Sequence, residues 1–143
     1  MEDLQPKDEE ALMKAKGQKI YKLNCSSCHQ DDGNGSTSTS VPPVAGSDWV
    51  APKDPSRIIR IVLNGLAGPI TVSGKQWGQA AMQPWRDALT DDDVAVVLTY
   101  VRASWGNKAP AVNAEEVKKL REATTDKRGS WTPEELLQIP LQD

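Results

Sequence analysis

The run Cys25-Ser26-Ser27-Cys28-His29 constrains this chain more tightly than any other stretch. Two cysteines three positions apart, with a histidine directly after the second, form the c-type haem attachment pattern. The chemistry sets the spacing. Each thiol adds to one vinyl group of the porphyrin, so the two sulfurs must sit about one helical turn apart. The next residue then lies beneath the ring, where its imidazole coordinates iron as proximal ligand. Other uses of the same residues fit poorly. A structural zinc ion takes four Cys or His ligands, whereas this chain has two cysteines and one histidine, and no carboxylates follow with paired spacing. A redox-active Cys-x-x-Cys pair sits in a strand–helix–strand context, and no such alternation follows. The motif therefore assigns one covalent haem c, held by Cys25 and Cys28, with His29 on the iron.

Composition supports that assignment indirectly. The apolar fraction is 38% over 143 residues, with no phenylalanine, which is a thin core for one domain with an extension. A buried porphyrin supplies the missing apolar surface. Net charge is −3, and lysines and arginines are scattered among acids with no basic stripe, so nucleic acid is not a partner. No apolar run approaches the ~18 residues that a membrane span needs. The start, Met1-Glu2-Asp3-Leu4-Gln5-Pro6, is acidic and polar, unlike a leader. The chain reads as a mature or excised form with Met1 added, leaving a removed leader, a lipid anchor or a fused membrane domain open.

Along the chain, residues 1–7 read as disordered, and a helix is expected from about Asp8, with Asp8, Glu9 and Glu10 at the positive end of its dipole. Met13, Gly17, Ile20, Tyr21 and Asn24 share one face. Gly17 lies on that face at a cost of about 1 kcal/mol against alanine, which suggests that another backbone comes close there. Residues 30–40 have loop composition, with Gly33 and Gly35 as turn glycines. In Val41-Pro42-Pro43-Val44, one proline carbonyl is placed to accept the free ring N–H of His29, or the pair is an ordinary Pro-Pro loop. Asp54-Pro55 opens the next helix, as N-cap and first helical residue. Its stripe is Ile58, Ile59, Val62, Leu63 and Leu66, with Gly65 near its end. A small hairpin is expected around Ser73-Gly74. Thr90 and Asp93 form an approximate capping box on the last core helix, which buries Val94, Val97, Leu98 and Val101.

Met82 lies in Gly78-Gln79-Ala80-Ala81-Met82-Gln83-Pro84-Trp85, a stretch without periodicity. A methionine in such a loop is either a gap-filler in an apolar cluster or, given a haem, its sixth ligand. His29 is the sole histidine, so His/His ligation is impossible, and a thioether raises the reduction potential. Met1 and Met13 are the rivals. The assignment is Met82, and the alternative is a vacant or water-filled site.

Residues 110–143 form a C-terminal extension, separate from a domain expected over 1–109 with its core at 8–107. Asn113 with Glu116 begins one charged helix, and Thr132-Pro133-Glu134-Glu135 begins a shorter one carrying Leu136, Leu137 and Ile139. Packing back on the same core is preferred to binding a partner.

With these elements in place, the chain resembles the class I monohaem cytochromes c, over about residues 8–107. The resemblance rests on the haem motif, on Pro42-Pro43-Val44-Ala45-Gly46 and on Leu63-Asn64-Gly65-Leu66-Ala67-Gly68-Pro69-Ile70-Thr71-Val72-Ser73-Gly74. It also rests on Met82-Gln83-Pro84-Trp85 and on Thr99-Tyr100-Val101-Arg102-Ala103-Ser104-Trp105-Gly106-Asn107. It implies an all-α, cytochrome c-like fold with a small hairpin insertion, in which Gly17 and Tyr21 meet Val97 and Tyr100. It implies that the carbonyl of Pro43, or of Pro42, bonds His29, and that Trp77 or an arginine such as Arg60 approaches a haem propionate. Val44 replaces the usual leucine, and Gln83 stands where proline usually follows the ligand methionine.

The function expected is electron transfer through a His29/Met82-ligated haem, on the periplasmic or extracytoplasmic face of a bacterial membrane. Its partners would be redox proteins such as an oxidase, a dehydrogenase or a quinol-oxidising complex. The alternative is a haem domain whose labile or open sixth site binds a small ligand or catalyses peroxide or gas chemistry.

Overall fold

In the computed structural model, which describes residues 6–77 and 81–142, the two longest helices cross at a glycine. They are α1 (Pro6–Asn24) and α4 (Asp91–Arg102). A methyl group built on Gly17 would overlap the Val96 carbonyl oxygen and lie 2.8 Å from Tyr100 Cβ. Any larger residue would push the helices apart, which explains the helical glycine. The contact falls on Val96 and Tyr100 rather than on Val97 and Tyr100, because the close approach is to backbone. Val97 instead shares the buried cluster with Tyr21. Pro6 and Lys7, expected within a disordered start, already belong to α1, since proline suits the first turn of a helix. Met1 to Gln5, and Gly78 to Ala80 of the loop before Met82, lie outside the described residues.

An aromatic trio fastens the crossing to the loop that follows the haem motif. The Tyr21 ring lies 5.7 Å from Tyr100 and 5.1 Å from Trp105. The Tyr21 hydroxyl donates to the Gln30 carbonyl at 2.6 Å, and the Trp105 indole to Asp31 at 3.0 Å. Burial pushes the Tyr21 hydroxyl well above its ordinary pKa, so it remains a donor. Asn107 continues the seam by donating to the Val44 carbonyl at 3.1 Å and accepting from the Gly46 N–H.

The other elements follow from their ends. Helix α3 (Ser56–Asn64) begins one residue later than expected: Pro55 occupies the cap position, and Asp54 Oδ1 accepts the Ser56 N–H at 2.9 Å. The short Asp54 side chain reaches the N–H two residues on, a local turn that delays the first helical residue. Strands β1 (Ile70–Val72) and β2 (Lys75–Trp77) pair antiparallel through Ser73-Gly74, both at positive φ, as a two-residue hairpin turn demands. Thr90 and Asp93 cap α4 reciprocally, as their spacing predicts.

Among the described residues the architecture is six helices and this one hairpin, arranged over two apolar clusters. The first joins Tyr21, Ile59, Leu63, Val94, Leu98 and Val101. The second joins Ile61, Leu66, Ile70, Val72, Trp131 and Leu136. The extension feeds both. Helix α5 (Ala114–Ala123) sends Val117 into the first cluster, and α6 (Pro133–Leu137) sends Leu136 into the second. The tail therefore packs on its own core, as preferred.

Two arginines, Arg102 buried and Arg86 half-buried, do much of the joining. Arg102, 1% exposed, donates to the carbonyls of Val50, Pro52, Lys53 and Pro110. Arg86 donates to Asn64 Oδ1 at 2.7 Å and to Thr124 Oγ1 at 2.6 Å. No described helix is long and apolar enough to cross a membrane.

Candidate haem site

The attachment motif continues α1. Cys25 N–H donates to the Tyr21 carbonyl at 2.8 Å, and His29 N–H to the Cys25 carbonyl at 2.9 Å. Residues 26–29 form the short helix α2 (Ser26–His29). Cys25 and Cys28, three apart on one turn, therefore project on one side. Both are free thiols, Cys25 half-buried and Cys28 exposed. Burial, with Cys28 as a like-charged neighbour, pushes the Cys25 thiol up to about 11.

The imidazole of His29 is oriented by the loop beneath it. Its Nδ1 lies 2.9 Å from the Pro42 carbonyl oxygen. A carbonyl can only accept, so Nδ1 carries the proton and Nε2 keeps its lone pair for a metal. Burial lowers the His29 pKa, against the opposing pull of the Pro42 bond, which favours the neutral ring that ligation needs. Of the two carbonyls that the resemblance leaves open, Pro43 first and Pro42 second, the one at His29 is that of Pro42. Ser36 and Val41 pair through both of their backbone bonds, so the Val41 carbonyl is occupied and the next one turns towards His29. Gly35, at φ +69°, lets this strand approach: a methyl there would overlap the Val41 carbonyl and lie 2.8 Å from the Pro42 oxygen. Pro43 itself is half-buried in the same loop.

Met82 is held by a different device. Its N–H donates to the Leu66 carbonyl at 2.8 Å, and its carbonyl accepts the Leu66 N–H at 3.1 Å. Trp85 and Arg86 N–H then donate to the carbonyls of Val62 and Leu63, which the end of α3 would otherwise leave free. Gly65, at φ +85°, makes room, since a methyl there would overlap the Met82 carbonyl. The Met82 side chain is half-buried and packs against both apolar clusters. Leu66 is paired on its other side as well. Trp131 N–H donates to Gly65 at 3.0 Å, and Ala67 N–H to the Trp131 carbonyl at 2.8 Å. Three stretches remote in sequence thus meet at Leu66.

The polar atoms near this second cluster test whether haem fits. Trp77 is half-buried against the cluster, and its indole N–H is buried with no acceptor among the described residues. Arg60 Nε and Nη1 and the Trp131 N–H are likewise buried without a partner. All four are donors, and burial lowers the Arg60 pKa against the pull of Asp54. Donors without acceptors match a cofactor whose rim carries carboxylates. Trp77 and Arg60 were anticipated; Trp131 was not, because it lies beyond the stretch that carries the resemblance. Among the described residues, no three His, Cys, Asp or Glu side chains group to hold a metal ion.

Comparison with known proteins places this geometry. Residues 14–105, more than half of the chain, match the family described as cytochrome c. The chain is 36% identical over 106 residues to the cytochrome c subunit of a quinone alcohol dehydrogenase from Gluconobacter oxydans, covering 73% of this chain and 22% of that one. It is 36% identical over 115 residues to the gluconate 2-dehydrogenase cytochrome c subunit of Pantoea cypripedii, covering 76% and 24%. It is 28% identical over 94 residues to the FixP subunit of the cbb3-type oxidase of Bradyrhizobium diazoefficiens, covering 66% and 28%. The chain therefore spans less than a third of the length of these curated relatives.

Proposed function

This chain belongs to the cytochrome c family, an electron-carrying unit with covalent haem c rather than an enzyme, and we propose that its iron is held between His29 and Met82. Cys25 and Cys28 would hold the porphyrin as thioethers, Pro42 fixes the His29 tautomer, and Met82 would supply the second ligand. The haem, when bound, supplies one-electron exchange between ferric and ferrous iron. The chain's own work is to orient the two ligands, exclude water from the sixth position and surround the ring with apolar side chains, which together set the potential.

The observation that carries this reading is the reciprocal backbone pairing of Met82 with Leu66, reinforced by the bonds from Trp85 and Arg86 to the end of α3. A methionine fixed on both sides suits permanent ligation better than a displaceable one, even with Gln83 in place of a stiffening proline. Held by both residues, the iron would have no place for a substrate, and the haem would supply electron exchange during brief encounters with partners.

The partners we infer are a dehydrogenase or an oxidase, on the extracytoplasmic face of a bacterial membrane. Support comes from relatives that are cytochrome subunits of dehydrogenases and of a cbb3-type oxidase. Absorption spectra of the haem-loaded protein test the ligation. Expected are a far-red sulfur-to-iron band in the ferric state and a ferrous spectrum unmoved by carbon monoxide. A high-spin ferric spectrum or ready carbon monoxide binding would instead establish an open sixth site.

A further inference from the structure

The four unpartnered donors pose a problem that the family match does not solve. Arg60 Nε and Nη1, Trp77 Nε1 and Trp131 Nε1 are the buried side-chain nitrogens without an acceptor among the described residues. Buried polar groups are nearly always satisfied, so an orphan needs an explanation. Four orphans of one kind point to a shared missing acceptor. Arg60 Cζ sits 6.0 Å from the centre of the Trp131 ring, and Trp77 and Met82 both pack against the cluster that holds Trp131. Among the described residues the guanidinium has no carboxylate within ion-pair distance. Asp54 attracts it only at a distance, its oxygens being occupied by the N–H groups of Ser56 and Gln142. An anionic acceptor suits such a set of donors.

Trp131 is built to present its N–H rather than merely to fill space. Its backbone is bonded to Gly65 and Ala67 on either side of Leu66. The residue is 8% exposed. Its ring lies 4.7 Å from Lys127 Nζ, which is itself anchored to Glu135 and to the Ser130 carbonyl. A tryptophan fixed so firmly in a cluster of Ile, Leu and Val would ordinarily turn its N–H to a carbonyl. This one has none.

We propose that Trp131 donates its indole N–H, beside Arg60, to a propionate carboxylate of the haem, so that the C-terminal extension completes the cofactor site. Trp131 lies outside residues 14–105, the region that matches the family. The extension thereby acts as a tuning element: each donor spreads the negative charge of the propionate, which otherwise stabilises ferric iron. The proposal rests on the haem but not on Met82 being its ligand.

The test is Trp131→Phe in the full haem-loaded chain, which keeps the ring and removes the N–H, followed by the midpoint potential as a function of pH. The expected result is a lower potential with a steeper pH dependence between about pH 5 and 8, as the less well-bonded propionate titrates in that range. Leu136→Ala loosens α6, which follows Trp131, without removing a donor and should leave the pH slope of the native protein in place. The far-red sulfur band, read in the same samples, reports Met82 separately. A potential and pH slope equal to wild type in Trp131→Phe would overturn the proposal. Should that variant fail to fold, the indole proton of Trp131 in the reduced wild-type protein decides. Slow exchange with solvent and a downfield shift are expected, and free exchange would overturn the assignment.

Discussion

The two sides of the site are built in opposite ways. On the His29 side everything is local: Cys25, Cys28 and His29 share one turn, and the Pro42 carbonyl arrives through a loop closed by Ser36 and Val41. On the Met82 side three distant stretches, 65–67, 82–86 and 129–131, meet through single pairs of backbone bonds. A motif encodes the first side in consecutive residues, and a fold must assemble the second. The Met82 side should therefore be the weaker one, and the one through which distant substitutions act.

The largest effect expected bears on that asymmetry. Arg86→Met would leave Asn64 and Thr124 without the donor that links the Met82 loop to α5, and should cost about 3 kcal/mol, measured by denaturant unfolding of the haem-loaded protein. The His29 side should keep its covalent attachment until global unfolding. Carbon monoxide binding before unfolding would locate the loss at Met82.

A pair of glycines sharpens the comparison. Gly65→Ala and Gly35→Ala each force alanine to a positive φ, at about 1–3 kcal/mol, before any overlap with neighbouring carbonyls is counted. Their optical consequences should differ. Gly65→Ala displaces the Met82 carbonyl and should weaken the far-red band. Gly35→Ala displaces Pro42 and should leave that band, while a weaker bond to His29 reduces ligand basicity and raises the midpoint potential.

The smallest effect concerns the end of the extension. Burial alone would raise the Asp54 carboxyl, but the N–H groups of Gln142 and Ser56, with Arg60 nearby, hold it below its ordinary 3.8. A depressed folded value means that the stabilisation is full above the ordinary value and is lost as pH falls through the folded one. Stability should therefore decline on acidification below about pH 4, and Asp54→Asn should flatten that part of the profile. Identical acid profiles for wild type and variant would remove Asp54 from the account.

What could be read from the sequence divides along the same line. The haem motif, the hairpin at Ser73-Gly74 and the caps at Thr90, Asn113 and Thr132 were legible because donor and acceptor lie within four residues. Met82 was legible as a residue but not as a structure, since its partner Leu66 had been placed in the stripe of the preceding helix. Pro42 and Pro43 offer the same carbonyl chemistry, and only the pairing of Ser36 with Val41 selects between them. Arg86, Arg102 and Trp131 gave no local signal at all. Their partners are mostly carbonyls far along the chain, and nothing about a carbonyl is written in the side chain that carries it.

The most direct test of the central claim, that the extension supports the Met82 side, is the temperature at which the far-red band disappears in ferric wild type and in Leu136→Ala. Leu136 is fully buried in the second cluster and touches neither ligand's backbone bonds. The account predicts that the band is lost at a lower temperature in the variant, ahead of the unfolding of α1 and α4 followed by far-ultraviolet circular dichroism. Loss of band and helices together, at one temperature in both proteins, would contradict it.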